Sequence, residues 1–572
     1  MRIKKRCPKK AVILSAILIP LTCLGVGVMS CSKQPETELP GDYPFFRKFT
    51  SDEIVKQPFY VLDDKGVLQS DYGGRYDEKG LQYNPVMIAT YSYLLYREWL
   101  ETRDEGKLVK FLIQADWLGD NTVEKGGFVV WEYYMDQPAY GATSPWRSAM
   151  ANGMAIGVLV RAYALTGKRV YLDTADQAFK AFLVDTQDGG VVTSVGADVI
   201  FFEEVADQGA PSSKILNGFI AALPGLYDYW QCSGREDVKQ AWDKGVRALR
   251  QSLPQYDAKF ISLYDLHYKR PAMRYGYNLV HVEQLIWLYE ITQEPLFLEY
   301  ALKFYCYEYY VPFTVTTKGS TDPENRGPQN LYLKGSYWSH NELPTWVELD
   351  LGEVKEITKF GFFGYTDETT PKDYNLYFSM DGESWGTCLE LRDNKERVHL
   401  VKIPHLKAQY IKMEVLEGNG YKGAALYGVT VQTADSEVKP IALTSFRDSL
   451  YREQCPLNIT DGNVESCWES CPNEETNVII DLRGKVGIKS ITTLSSGLAN
   501  LSLWVSDNLD RWEQIDQIAG SLPSEYVWRG DAGRHRYLRF CADSPGPKCV
   551  IYEITINPAN NNLSSNQDCT LP

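Results

Sequence analysis

The chain has 572 residues with 74 acids against 59 lysines and arginines, for a formal charge of −15. That balance argues against nucleic acid as a partner; a polyanionic substrate would need a local basic patch set against it. The length calls for several domains.

The first ten residues carry Arg2, Lys4, Lys5, Arg6, Lys9 and Lys10 and no acid, and an uncharged apolar run follows over 11–29. These are the n-region and h-region of a secretory signal. The run closes on Val28-Met29-Ser30-Cys31, which resembles a bacterial lipobox. It implies removal of residues 1–30 and a lipid on Cys31, with the protein held by a lipid anchor at the membrane of the bacterial cell envelope, facing the periplasm or the cell surface. An uncleaved anchor is the alternative, since the run is about long enough to span a bilayer. Loss of the six basic residues takes the charge to −21. Residues 31–82 are a tether and N-terminal extension, and no later apolar run is long enough to cross a membrane.

Residues 83–312 repeat. Each unit has an apolar-periodic helix, a short polar turn and a second helix. The turns begin TRDE at Thr102, TGKR at Thr166, SGRE at Ser233 and TQEP at Thr292, spaced by 64, 67 and 59 residues. Repeated helical hairpins of this length close on themselves or stack. The expected fold is an all-α (α/α) toroid of about four hairpins. Between the hairpins run strand-like segments, two of them opened by glycine pairs 63 residues apart, Gly126-Gly127 and Gly189-Gly190. Equivalent loops should emerge on one rim and display Trp131, Glu132, Glu203, Glu204, Tyr264 and Asp265 around one cavity.

The segment Tyr264–Gln284, YDLHYKRPAMRYGYNLVHVEQ, gathers four tyrosines, two histidines, two arginines and a lysine. His267 and His281 are the only histidines before residue 340. Proton-transfer and anion-binding groups at that density mark a candidate site.

Several collinear blocks carry a family resemblance: DYGG at Asp71, YNPVMIATY at Tyr83, ADWL at Ala115, PWRSAMANGMAI at Pro145, FFEE at Phe201, LNGFIAALPGLYDY at Leu216, LYDLHY at Leu263 and RYGYNLVHVEQL at Arg274. Together they resemble the catalytic domain of D-glucuronyl C5-epimerases, which convert glucuronate to iduronate within glycosaminoglycan chains. This sequence departs from the family at Val205, where a tyrosine is usual, at Arg147 within Trp146-Arg147-Ser148, at His267-Tyr268, and at Asn278, where a histidine is usual. The resemblance implies a heparosan- or heparan-type, glucuronate-containing acidic polysaccharide as substrate, no cofactor, and Glu204, Tyr264 and Tyr277 as the essential residues.

The chemistry agrees with those residue types. Inversion at C5 removes a proton α to a carboxylate and returns one to the opposite face. The site must neutralise the carboxylate and offer an acid/base on each face. Arg274, with Lys269, Arg270 or His281 nearby, can supply the first requirement. Glu204 and Tyr277 form the candidate opposed pair, assisted or positioned by Tyr264. Glu203 is the alternative to Glu204. His267, Trp146 and Asn217 are candidate sugar contacts. The toroid shows no metal-ligand spacing.

After Lys318 the period turns strand-like. WVELDLG at Trp346 and YNLYFS at Tyr374 alternate, and a second copy follows with VIIDL at Val478 and LWVS at Leu503. Trp385 and Trp512 correspond, 127 residues apart. These are antiparallel β-sandwich signatures. The two copies, 318–433 and 437–558, resemble discoidin (coagulation factor V/VIII type C) domains. Two jelly-roll sandwiches are therefore expected outside the toroid, with a structural calcium near Asp461 and carbohydrate binding implied by the resemblance. Six of the cysteines fall in the last quarter, where an exported chain favours disulfides. The tail 559–572 is Asn/Ser-rich. Three functions remain open here: a uronate epimerase, a lyase or hydrolase on the same toroid, and a non-catalytic glycan-binding lipoprotein.

Overall fold

The computed structural model describes residues 49–73, 80–195, 199–445, 454–470, 476–544 and 549–558, together with Leu39, Leu450 and Gly546. The leader, Cys31 and the tail lie outside the described residues.

Among the described residues, eight helices of eleven residues or longer pair as four hairpins. They are Pro85–Thr102 with Glu105–Asp120, Ala149–Thr166 with Arg169–Phe179, Leu216–Ser233 with Glu236–Ser252, and Tyr277–Thr292 with Pro295–Cys306. One piece of turn chemistry makes all four. The hydroxyls of Thr102, Thr166, Ser233 and Thr292 each donate to the carbonyl four residues back, at 2.6 to 2.7 Å. Each also accepts the N–H two residues on. Between them stands a residue in the left-handed region: Arg103, Gly167, Gly234 or Gln293. Its N–H returns to the carbonyl of Trp99, Tyr163, Trp230 or Tyr289. This closes the first helix and releases the chain directly into the second.

The first helices of successive hairpins are neighbours. The second and third approach so closely that a Cβ on Gly153 or Gly225 would overlap the facing backbone. The Arg161–Asp228 ion pair, 2.7 Å and almost fully buried, joins the same two helices. Ala149–Thr166 is long and apolar enough to cross a bilayer, against expectation, but 78% of that helix is buried inside the protein. It is a core helix.

After Cys306 the chain turns to strands. In the first β-module the antiparallel strands lie in the order Trp338–His340, Ala424–Thr433, Thr345–Gly364, Val398–Gly418, Pro371–Ser379 and Cys388–Leu391, and Thr314–Thr317 adds to Thr345–Gly364. In the second the order is Trp468–Glu469, Val550–Pro558, Thr476–Ser496, Arg534–Asp543, Ala499–Ser506 and Glu513–Gln517, with Ile441–Leu443 and Glu525–Arg529 added to Thr476–Ser496. The two orders are the same when strands are ranked along each module and Glu525–Arg529, which has no counterpart in the first, is set aside. Each module has its own apolar core, around Phe362 and Ile411 in one and Ile480 and Phe540 in the other.

The modules do not stand clear of the helices. Leu333 and Phe363 of the first, and Ile441, Leu443, Ile479 and Tyr537 of the second, belong to the helical core. Arg274 N–H donates to the Leu333 carbonyl at 2.9 Å. Two β-modules follow the helical region, as expected, but they are packed onto it: apolar side chains of both complete its core.

Of the cysteines expected in disulfides, Cys455 and Cys549 are thiols, while Cys471 and Cys569 lie outside the described residues.

Candidate active site

The loop after the second hairpin delivers the paired acids. Val192–Val195 and Val199–Phe202 form a β-hairpin, and the chain leaves it with Glu203 and Glu204 pointing in different directions. Glu203 is fully buried. Its carboxylate accepts from the hydroxyls of Thr193, Ser212 and Ser213 and from the N–H groups of Ser213 and Lys214. It has no capacity left for a sugar, so the expectations that it faces the cavity and can stand in for Glu204 are corrected. It ties the 212–214 segment to the hairpin.

Glu204 keeps part of its surface open. Its carboxyl lies against the first turn of helix Leu216–Ser233, where Gly218 leaves room for it: a Cβ there would overlap Oε2. Asn217 Nδ2 donates to Oε2 at 3.3 Å. Burial pushes the carboxyl up to about 7, while Arg270 and the Asn217 bond pull it down. An acid with that value is poised to give or take a proton at neutral pH. Asn217 is 2% exposed; it orients Glu204 and is not a sugar contact.

Tyr264 is pinned by its backbone. Its carbonyl accepts from Leu216 N–H at 3.0 Å, and its N–H donates to the Arg270 carbonyl at 2.7 Å. Burial, then the Glu204 charge, raises its phenol well above 10, so it stays protonated. Tyr277 opens the helix Tyr277–Thr292, with its ring centroid 4.8 Å from that of Tyr264 at 65°.

The cation of this site is Arg270. Asp265, fully buried, accepts from Arg270 Nε at 2.8 Å and from Tyr268 N–H. The Arg270 guanidinium also donates to the Tyr140 hydroxyl and lies over the rings of Tyr140, Tyr264 and Tyr268 at 4.8 to 5.6 Å. Burial opposes its charge, but Tyr140, Asp265 and Tyr264 hold its pKa above the usual arginine value. A cavity of 380 Å³ is walled on this side by Tyr264, Arg270 and Tyr277. Glu204 does not line it; its charge acts on the Tyr264 phenol.

The structure thus brings together Glu204, Tyr264 and Tyr277. It does not bring Arg274, His281 or His267 to them, as the sequence had suggested. Arg274 is 4% exposed, lies over the Tyr310 ring at 4.0 Å and lines a different cavity. His281 is fully buried, with Nδ1 2.8 Å from the Ser262 hydroxyl, and burial lowers its pKa to about 3. It is a neutral core imidazole and cannot hold a carboxylate. His267 is exposed in a neighbouring cleft beside Lys269 and Arg397. Trp146 stacks on Tyr133 at 4.2 Å and 7°, and its indole N–H donates to the Met135 carbonyl at 2.7 Å, which leaves no face for a sugar. Trp131 is equally buried, Asp265 is an internal anchor, and Glu132 pairs with Lys125 at 2.7 Å. Val205 packs in the apolar cluster of Tyr133, Tyr140 and Trp146. Sequence reasoning ranked Arg270 too low and missed Tyr140 and Gly218. Tyr140 carries no local signal in QPAYGA.

Asp461 does not fit a calcium ion. Its carboxylate accepts from Asn463 N–H and the Ser466 hydroxyl of its own loop, and its carbonyl accepts from the Lys439 ammonium at 3.2 Å. Among the described residues no cluster of three metal-binding side chains occurs.

The helical domain and the first β-module each match a known class. Residues 124–305 match the family described as D-glucuronyl C5-epimerase C-terminus, and residues 314–428 match the F5/8 type C domain. The chain therefore carries an epimerase-family domain followed by a discoidin-type module. Among individual relatives, a D-glucuronyl C5-epimerase of Caenorhabditis elegans is 31% identical over 234 residues, 38% of each chain. An uncharacterized protein of Methanocaldococcus jannaschii is 32% identical over 201 residues, covering 34% of this chain and 64% of that one. The chain thus spans less than two thirds of either relative. Similar solved structures include the family 32 carbohydrate-binding module from Streptococcus pneumoniae EndoD, at 20% identity over 22% of this chain and 97% of that one with a TM-score of 0.20. A fucolectin from striped bass serum is 13% identical over 44% of this chain and 97% of that one, with a TM-score of 0.17.

Proposed function

We propose that the protein is a uronate C5-epimerase acting on a glucuronate-containing, heparosan-type polysaccharide. It would be lipid-anchored through Cys31 in the bacterial cell envelope, with its four hairpins curving into a toroid. The observation that carries the reading is one ionisable carboxyl near neutrality, Glu204, set beside two phenols and a caged arginine. Arg270 holds the substrate carboxylate, so charge that develops on it when C5 loses its proton is met by a fixed cation. Glu204 and Tyr277 are the proton-transfer pair, with Glu204, which does not line the cavity, acting through the Tyr264 hydroxyl, which passes its own proton to or from Glu204 as it takes or gives one at C5. One takes the C5 proton, the electron pair moves into the carboxylate, and the other protonates C5 from the opposite face. Tyr264, between them and protonated, positions or relays.

The test is incubation of the full-length protein with heparosan in deuterated water, read by NMR. Deuterium at C5 with appearance of iduronate is the expected result. An unsaturated uronate absorbance would make it a lyase. No solvent exchange with any glucuronate polysaccharide would end the catalytic reading.

A further inference from the structure

The wall of the cavity opposite Tyr264, Arg270 and Tyr277 belongs to the first β-module: Tyr337, Tyr365 and Tyr427, with Gly335 and Ser336 beside them. We propose that these three tyrosines are a sugar platform, holding the pyranose ring that flanks the reacting uronate, so that the β-module is part of the catalytic cleft. The proposal rests on the epimerase reading for the identity of the neighbouring sugar, and on geometry for the rest.

The rings of Tyr337 and Tyr365 lie 3.7 Å apart at 16°, and Tyr427 stands against Tyr365 at 5.2 Å and 66°. All three are partly buried, Tyr427 against the helical core, while the neighbouring Phe363 and Leu426 are fully buried. Tyr337 and Tyr365 cover one face of each other, so a pyranose would lay its C–H groups along the ring edges that line the cavity and turn its hydroxyls to water. Among the described residues, the one charged side chain in the lining is a cation, Arg270 on the helical side, and Arg326 lies outside the cavity over the Tyr337 ring at 5.2 Å. That arrangement favours an acidic glycan over a neutral one in a chain whose net charge is strongly negative.

The platform is fixed relative to the proton-transfer residues. Arg397 donates to the Gly364 and Tyr365 carbonyls at 3.2 and 2.6 Å and, across the domain boundary, to the Tyr268 carbonyl at 2.9 Å. Gly335, at φ +109, makes room for Met273, whose sulfur a Cβ there would overlap. The module is therefore clamped to both sides of the loop that presents Arg270.

The experiment uses the full-length protein and a heparosan hexasaccharide, with Kd from calorimetry and C5 exchange kinetics from NMR. The variants are Tyr365→Ala, Tyr337→Ala and Tyr365→Phe, each checked by thermal melting. Both alanine variants should raise Kd and KM by about tenfold and KM by more than they lower kcat. Tyr365→Phe, which keeps the ring, should bind as the wild type does. Unchanged Kd and KM in the alanine variants, or a phenylalanine variant as poor as alanine, overturns the platform. Binding by the wild type without exchange sinks the epimerase reading and leaves the platform to be judged by Kd alone. Neither binding nor exchange in the wild type counts against both.

Discussion

Arg270 and Arg274 leave one loop four residues apart and enter two different cavities. The cavity of Arg270 is poor in charge and rich in phenols. The cavity of Arg274, 430 Å³ between the helices and both β-modules, holds many charges, among them Lys303, Lys359, Arg483 and Arg536 against Glu299, Glu437 and Asp481. Most of these neutralise one another, as in Lys359–Glu437 and in Arg536–Asp481 at 3.0 Å. Each region also has a carboxyl that burial raises to about 7, Glu204 in one and Glu308 in the other. Glu308 is 2% exposed and accepts from Asn278 Nδ2 and Tyr275 N–H. A perturbed acid or a dense set of charges does not by itself mark a catalytic centre. Glu204 differs from Glu308 in keeping part of its surface open.

The sharpest way to break this contrast is to remove the two acids in turn. Glu204→Gln, like Tyr277→Phe, should lower C5 exchange by about 10² to 10⁴. Glu308→Gln should leave it within about threefold. If the two glutamates behave the other way round in the deuterium assay, the centre lies at the other cavity.

The arginines come next. Arg270→Gln should lower kcat/KM by about 10²-fold through loss of the substrate carboxylate's partner. Arg274→Met should leave kcat/KM within about threefold. Its Nε and Nη1 are buried without hydrogen-bond partners, so urea unfolding should show the methionine variant no less stable than the wild type.

A smaller effect is expected from Gly218→Ala, which keeps every ionisable group and displaces the Glu204 carboxyl. A loss of about tenfold in kcat at near-normal KM would show that the room beside the helix matters. Wild-type activity would mean that the carboxyl can shift freely.

The smallest change is a titration. The exchange rate should inflect near pH 7, rising with pH in the direction where Glu204 acts as base. Asn217 stabilises the carboxylate, so Asn217→Ala should move that inflection upward by less than about one pH unit. A downward move would contradict the bond seen at Oε2.

The helical repeat was legible because its signal is local. A hydroxyl, a left-handed residue and a restart of apolar periodicity recur in four turns, and each makes the same hydrogen bonds. The two β-modules were legible for the same reason, in strand alternation and a repeated tryptophan. Glu204, Tyr264 and Tyr277 came from family likeness, and the fold gathers them. What sequence could not separate was Glu203 from Glu204, or Arg270 from Arg274. Those differences are set by which way a side chain leaves a hairpin or a loop, and by which partner it then meets: Ser212 for Glu203, Asp265 for Arg270 and Tyr310 for Arg274. His281 looked like a functional histidine because histidine is rare here; only its surroundings show it as a packed ring bonded to Ser262.

The core that runs from the hairpins into Leu333, Phe363, Ile441 and Tyr537 has a consequence for how this protein meets a long polymer. A carbohydrate module on a loose linker raises the local concentration of polymer near an enzyme and lets the enzyme sample many points along it. A module built into the same core has no such reach. For the proposed polysaccharide it would be a fixed track in which the spacing between a held sugar and a reacting one is set by the fold, so position along the polymer would be measured by the protein's own dimensions.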